Sequence, residues 1–297
     1  MAVYSYAEKF QDILAQKYET ALCSYDLEQS NPQVQFINAQ TIKLPRLTVS
    51  GYKDHTRGSL GFNTGTLAND WEPKKLSHDR DIEFVVDPMD VDETNLTLSV
   101  ANITNTFETE QAIPEKDSYR FSKLYTELST YKAGNISTTA LTPENFLTVF
   151  DNAMEAMDEA GVPEEGRILY AIPATRKIIK QAKGLEREVS VTNGSSAVNR
   201  KVHSLDDVTI KSVPSARMKT AYNFTNGCVP ADSAKQMNFI LVHPSCVVCR
   251  QKYSYIKMFT PGHDSRTSDN YLYQNRSFGD LFLLERKADG CHINTTA

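Results

Sequence analysis

Between residues 51 and 77 the sequence reads GYKDHTRGSLGFNTGTLANDWEPKKLS, with four glycines, the chain's one tryptophan and no continuous apolar pattern. A coreless excursion this long is uncommon inside a compact domain and is usually functional. It constrains the fold strongly, because the rest of the chain must build its core without it. The flanks are extended in character. From 33 to 50 the text is short and β-branched, as in VQFINAQTIKLPRLTVS, and Pro45 suits an edge strand or an arm better than a central strand. The excursion is therefore expected to be a β-hairpin with glycine turns. Beyond it, DIEFVVD at 81–87 reads as a strand, with Asp79, Asp81 and Glu83 on one side and Ile82, Phe84 and Val86 on the other.

That strand opens an acidic run. HDRDIEFVVDPMDVDET, residues 78–94, carries seven carboxylates. One reading is a divalent-metal site, in an enzyme built on Asp87, Asp90 and Asp92. The other is ordinary alternation on a solvated strand, followed by acids at a helix entrance, where the helix dipole favours negative charge. A hard cation needs several converging oxygens, and strand alternation already accounts for three of these seven acids, so no metal is expected. Cys246 and Cys249 in HPSCVVC have only Cys291 and His292 to complete a closed zinc shell, at a spacing that fits no zinc motif. Five irregularly spaced cysteines without an export signal are expected to be reduced thiols. The chain lacks a Walker loop, Gly-X-Ser-X-Gly and His-Glu-X-X-His. No catalytic residue, cofactor or enzyme activity is expected. Trp71, alone in the excursion, is either an interface anchor or a pin for its own loop.

At 297 residues and 40% hydrophobic content the chain can build a core, and ordinary domain sizes allow two packed regions. The net charge of -5 comes without a basic block, which argues against a sequence-specific nucleic-acid binder. No apolar run approaches a membrane span, and MAVYSYAEKF does not begin like a signal peptide.

Periodicity supplies the remaining elements. A helix is expected over 1–30, on Tyr6, Phe10, Ile13, Leu14 and Leu22. Leu96, Val100, Ile103 and Phe107 form one helical stripe. Pro114 is expected to start a second helix with Phe121, Leu124, Tyr125 and Leu128 inward. Residues 133–140 read as a linker. Thr142-Pro143-Glu144 opens a helix with Phe146, Leu147, Phe150, Ala153, Met154 and Met157 buried, which Gly161 ends. RILYAI is a strand and PATRKIIKQAKG a helix. DDVTIKSVP, MNFILVHP, the stretch after SCVVC and two final segments around Asp289-Gly290 are strands. The class is α+β.

Several segments, in order, resemble one family. INAQTIKLPRLTVSGYKDHTR, DRDIEFVVDPMDVDET, NTFETEQAIPEKDSYRFSKLY, FLTVFDNAMEAMDEAGVPEEGRILYAIPA, VTIKSVPSARM and NFILVHPSCVV are similar to the major capsid proteins of tailed bacteriophages, closest to those of siphophages of Gram-positive hosts. The resemblance implies the Hong Kong 97-type fold: an N-terminal arm (1–45), an extended loop (46–80), a peripheral domain with a long spine helix (81–140 plus 251–297) and an axial domain (141–250). It further implies self-assembly as hexamers and pentamers into an icosahedral shell around double-stranded DNA, without sequence-specific contact. A separate scaffolding protein and a portal would be partners, and assembly would take place in the host cytoplasm, with no membrane. Tyr52, Arg57, Trp71, Lys74, Asp81 and Glu83 become candidates for contact between subunits, with the acidic strand meeting a neighbour's cationic loop. A nanocompartment shell of the same fold is the alternative.

Overall fold

The computed structural model describes residues 21–28, 41–55, 57, 62–93, 100–183, 202, 204–262 and 268–297. The helix expected over 1–30 falls outside the described residues up to position 20; at Tyr25–Leu27 the chain makes a 3-10 turn. The chain divides into two compact units, residues 32–78 and the remainder.

The smaller unit is a two-stranded antiparallel ribbon, β1 (Thr41–Val49) and β2 (Leu67–Lys75), in register from Thr41 opposite Lys75 to Val49 opposite Leu67. The expected hairpin is thus present. Its connection is closed by hydrogen bonds from Ser50 N to the Thr66 carbonyl (3.0 Å) and from Thr66 N to Ser50 Oγ (2.9 Å).

After the ribbon comes β3 (His78–Val86), which lies in the larger unit from Asp79 on and whose alternating burial follows the expected pattern. Helix α1 (Pro88–Glu93) follows, with Asp87 Oδ1 accepting from Met89 N at 2.9 Å. Helix α2 (Val100–Phe107), a π turn (Glu108–Ala112) and α3 (Ile113–Tyr131) then form one unbroken helical run. The expected break at Pro114 does not occur. Proline has no N–H to donate, and its ring crowds the carbonyl four residues earlier. Here that carbonyl lies in the widened π turn, which absorbs the misfit without ending the helix.

Residues 133–140 are more ordered than a linker, because β4 (Ile136–Ser137) joins a sheet edge. Helix α4 (Phe146–Glu159) starts where the sequence places it. Thr142 Oγ1 accepts from Asn145 N (3.3 Å), while Asn145 Oδ1 accepts from Thr142 N (2.8 Å), a reciprocal capping arrangement. It ends at Gly161, whose φ of 70° favours glycine, and Val162 N returns to the Met157 carbonyl at 2.9 Å. Then come β5 (Ile168–Ala171), α5 (Pro173–Gln181), β6 (Ser204–Leu205), β7 (Val208–Ser212), β8 (Tyr222–Asn223), β9 (Val229–Pro230), β10 (Met237–Val242), β11 (Val247–Phe259), β12 (Tyr271–Leu283) and β13 (Cys291–Thr295).

Strands β4-β13-β10-β5-β7-β6 form one mixed sheet. It is buried on both faces, which is why its central strands read as continuous apolar runs. Ile168, Tyr170, Ile240 and Val242 face Phe121, Leu124 and Leu128 of α3. Leu169, Ala171, Phe239 and Leu241 face Phe146, Phe150 and Met157 of α4 and Ile179 of α5. A second sheet has the order β11-β12-β3. Its long strands approach so closely that a Cβ at Gly279 would lie 2.8 Å from the Arg250 carbonyl oxygen. Among the described residues no helix is long and apolar enough to cross a membrane.

Candidate functional site

Antiparallel pairing puts directly opposed residues on one face of a ribbon. On β1 and β2 the register therefore aligns Leu47 and Val49 with Leu67, Asn69 and Trp71. The four apolar members are 58%, 65%, 72% and 48% exposed. Tyr52 and Phe62, in the connection between the strands, are almost wholly exposed, and Arg57, in its turn, is exposed. The buried hydrophobics described in this unit are Ile42 and Leu76 alone. Lys74 lies on the face opposite Trp71 and pairs with Glu72 at 2.8 Å. A strand pair with one open apolar face is marginal by itself in water, and a contiguous exposed apolar face marks a site of association.

The three-stranded sheet carries the second open face. Its inner side packs on the long helix: Phe84 meets Phe107 edge-on at 5.5 Å and stacks on Tyr273 at 6.1 Å. Arg80, on the same side, binds Glu115 (2.6 Å) and the Phe224 carbonyl (2.5 Å). The outer side holds Asp79, Asp81 and Glu83 of β3, Gln274 and Arg276 of β12, and Tyr253 and Tyr255 of β11. Arg276 forms a two-pronged bridge to Asp79, at 3.0 and 2.6 Å, and its guanidinium lies 5.9 Å from the Tyr253 ring. Gln274 donates to Glu83 at 2.6 Å. The acidic strand noted in the sequence is thus half of a mixed acidic and aromatic surface. The tyrosines were missed, although YSY at 253–255 carries a signal, since alternate tyrosines on a strand share a face.

Sequence reasoning also missed a buried polar anchor. Asp117, fully buried on α3, accepts from Cys23 N (3.0 Å), Ser24 N (3.0 Å), Ser24 Oγ (2.7 Å) and Arg217 Nη1 (2.9 Å). Arg120, one turn on, binds Ser24 Oγ at 2.9 Å and pairs with Glu28. Lys211 pairs with Asp26. These bonds satisfy a charge that would otherwise be very costly to bury, and they pin residues 23–28 to the helix.

Among the described residues no three His, Cys, Asp or Glu side chains converge as a metal site. Asp87 is engaged as a helix cap. Cys246, Cys249 and Cys291 are free and buried, and burial pushes the first two thiols up to about 12 and about 11 and the third well above its ordinary value. Such thiols are poor nucleophiles and poor metal ligands. His243 binds Ser245 Oγ and the Glu165 carbonyl, at 2.7 and 3.1 Å, and burial lowers its pKa.

No family model matches the chain, and no curated protein does either. Solved structures match it almost end to end. A chain from Mycobacterium phage Che8 is 12% identical at a TM-score of 0.66, covering 97% of this chain and 96% of that one. The mature capsid of bacteriophage PhiM1 is 13% identical at 0.67, covering 99% and 92%. The capsid of cyanophage P-SCSP1u is 12% identical at 0.71, covering 98% and 93%. The chain has the fold of phage capsid proteins, the Hong Kong 97-type α+β fold with its hairpin loop and long helix.

Proposed function

We propose that this chain is a major capsid protein of a tailed bacteriophage, of the kind found in siphophages of Gram-positive hosts. Copies join as hexamers and pentamers into an icosahedral shell that encloses double-stranded DNA, assembled in the host cytoplasm with a separate scaffolding protein and a portal. The observation that carries this reading is the fold likeness, which runs over nearly the whole of both chains to structures of assembled phage capsids. The open apolar face of the β1–β2 ribbon supports it, because a neighbouring copy gives that face something to bury against. Shell closure then follows from many repeated contacts of modest strength related by symmetry. An acidic chain, net -5, suits a wall that must not bind the packed genome tightly.

The proposed division is an arm over 1–45, an extended loop over 46–80, a peripheral domain over 81–140 and 251–297, and an axial domain over 141–250. Strand β13 bonds to β10 within the six-stranded sheet, so the last two of these share a sheet. No catalytic role is proposed for any residue. Sedimentation velocity with negative-stain microscopy of the purified protein tests the reading. Closed particles of one size class are expected. A monomer at high concentration overturns it, and particles that carry a folded enzyme instead of DNA point to a nanocompartment.

A further inference from the structure

We propose that the recess between α4 and the β4–β13 edge of the six-stranded sheet binds a neutral sugar of monosaccharide size through His292, Asn135 and Asn152.

The recess has a volume of about 290 Å³, at the small end of the range of about 300–1,000 Å³ typical of small-molecule sites. Val149, Ala153 and Phe239 supply apolar surface, and Asn135, Asn152 and His292 are among its polar members. All of them belong to the larger unit of one copy.

His292 singles the recess out. It sits directly opposite Leu241 in the β13–β10 register, which puts it on the α4 side of the sheet. The residue is 8% exposed, and its Nε2 has no hydrogen-bond partner. Buried polar atoms are nearly always paired. Asn294, fully buried on the same face of the same strand, obeys that rule. It donates to Ser137 Oγ (3.3 Å) and the Thr139 carbonyl (3.0 Å) and accepts from Asn238 Nδ2 (2.7 Å). Burial keeps the His292 ring neutral, and a hydrogen bond to the Asp289 backbone favours a proton on it. With Nε2 the unpartnered atom, that proton is on Nδ1. Nε2 then presents a lone pair and needs a donor.

The lining selects the kind of donor. It contains no carboxylate, ammonium or guanidinium among the described residues. The two charges that act on the ring, Asp289 and Lys132, pair with each other at 2.6 Å. An ionic ligand would lose its hydration there without a counter-charge, so the ligand is neutral and donates through a hydroxyl. Asn135 Nδ2 donates to the carbonyls of Cys291 (3.2 Å) and Ala288 (3.5 Å), which leaves its Oδ1 as a second acceptor. Asn152, exposed on α4, offers an amide that both donates and accepts. Adjacent hydroxyls of a sugar meet these needs, and the C–H face of its ring suits the apolar side chains beside them.

Saturation-transfer NMR on the full chain tests the assignment. The probes are glucose, galactose and N-acetylglucosamine, with gluconate and protonated glucosamine as charged comparators. At least one neutral sugar is expected to take up saturation, and the two ions at least about tenfold less. Ala156→Phe, at an exposed helix position that lines the recess, is expected to cut the signal at least about tenfold by filling the space. Asn152→Ala is expected to weaken binding several-fold through a lost hydrogen bond. Unfolding midpoints check that both variants fold. In isotopically labelled protein, the His292 Nε2 resonance, identified by its loss in His292→Gln, is expected to move when the sugar is added. No signal from any neutral sugar overturns the proposal. So does a signal that survives Ala156→Phe, one matched by the ions, or an unmoved Nε2 resonance. The site lies within one copy, so a protein that binds sugar but forms no particles overturns the shell reading alone.

Discussion

The six-stranded sheet and the β1–β2 ribbon are both made of strands, yet they treat apolar residues in opposite ways. Leu169, Phe239 and Leu241 on one side of the large sheet, and Tyr170, Ile240 and Val242 on the other, are covered by helices of the same chain. Leu47, Val49, Leu67 and Trp71 align on one face of the ribbon and remain open to water. The first region is stabilised within one molecule. The second carries the residue pattern of a buried sheet without the layer that would bury it, and in the proposed shell a second molecule supplies that layer. Stability of the fold and competence to assemble are thereby assigned to different residues, and substitutions can separate them.

The largest effect on the isolated chain is expected at the buried anchor. Arg217→Met leaves Asp117 fully buried without its charge partner, and losing one member of such a pair costs about 3–5 kcal/mol. The midpoint of urea unfolding should fall accordingly; an unchanged midpoint shows that the backbone and Ser24 hydrogen bonds suffice. Phe150→Ala, between α4 and the sheet, should cost a similar ~3–5 kcal/mol through cavity formation. On the ribbon the comparison inverts. Val49→Ser with Leu67→Ser should change monomer stability by no more than about 0.5 kcal/mol while raising the concentration needed for particle formation at least about tenfold. If that pair of substitutions unfolds the monomer, the contrast between the regions is lost. Gly161→Ala should cost about 1 kcal/mol, since a side chain at φ 70° is strained.

The smallest expected effect is on pH dependence. Burial depresses the pKa of His292 and His243 below the ordinary 6.5, so the unfolded chain binds more protons than the folded one just below that pH. Stability contributed by the neutral imidazoles is complete above pH 6.5 and declines as pH falls toward the folded pKa values. His292→Gln should flatten the decline, as measured by unfolding midpoints across that window. A slope unchanged by the substitution assigns the pH dependence to other groups.

Much of the fold was legible because local patterning and tertiary demand agree. DIEFVVD alternates and becomes β3. The Thr142 start, the Phe146–Met157 stripe and the Gly161 stop each match the hydrogen bonding of α4. Where local signals and tertiary packing diverge, the sequence misleads. Pro114 reads locally as the first residue of a second helix, but α3 continues the preceding helix because a π turn accommodates the ring. The small polar residues before Ala140 look like a linker, yet Ile136 and Ser137 find a partner in β13 from the far end of the chain. Of the open outer face, the acids were legible from strand alternation. Their neighbours on β11 and β12 were not, because they are brought there by pairing between distant parts of the chain, 197 positions apart for Arg276 and Asp79. Asp117 and Arg217 were invisible for the same reason: each looks like an ordinary surface charge until the fold places them 2.9 Å apart.

Trp71 is the chain's sole tryptophan and lies on the open ribbon face, so its fluorescence reports on that face alone. Emission and acrylamide quenching, followed alongside light scattering as the purified protein is concentrated, therefore test most directly whether another copy completes the ribbon. If it does, a blue shift and protection from quenching rise together with particle growth. Particles that grow while Trp71 stays as quenchable as in the monomer would contradict a ribbon completed by its neighbour.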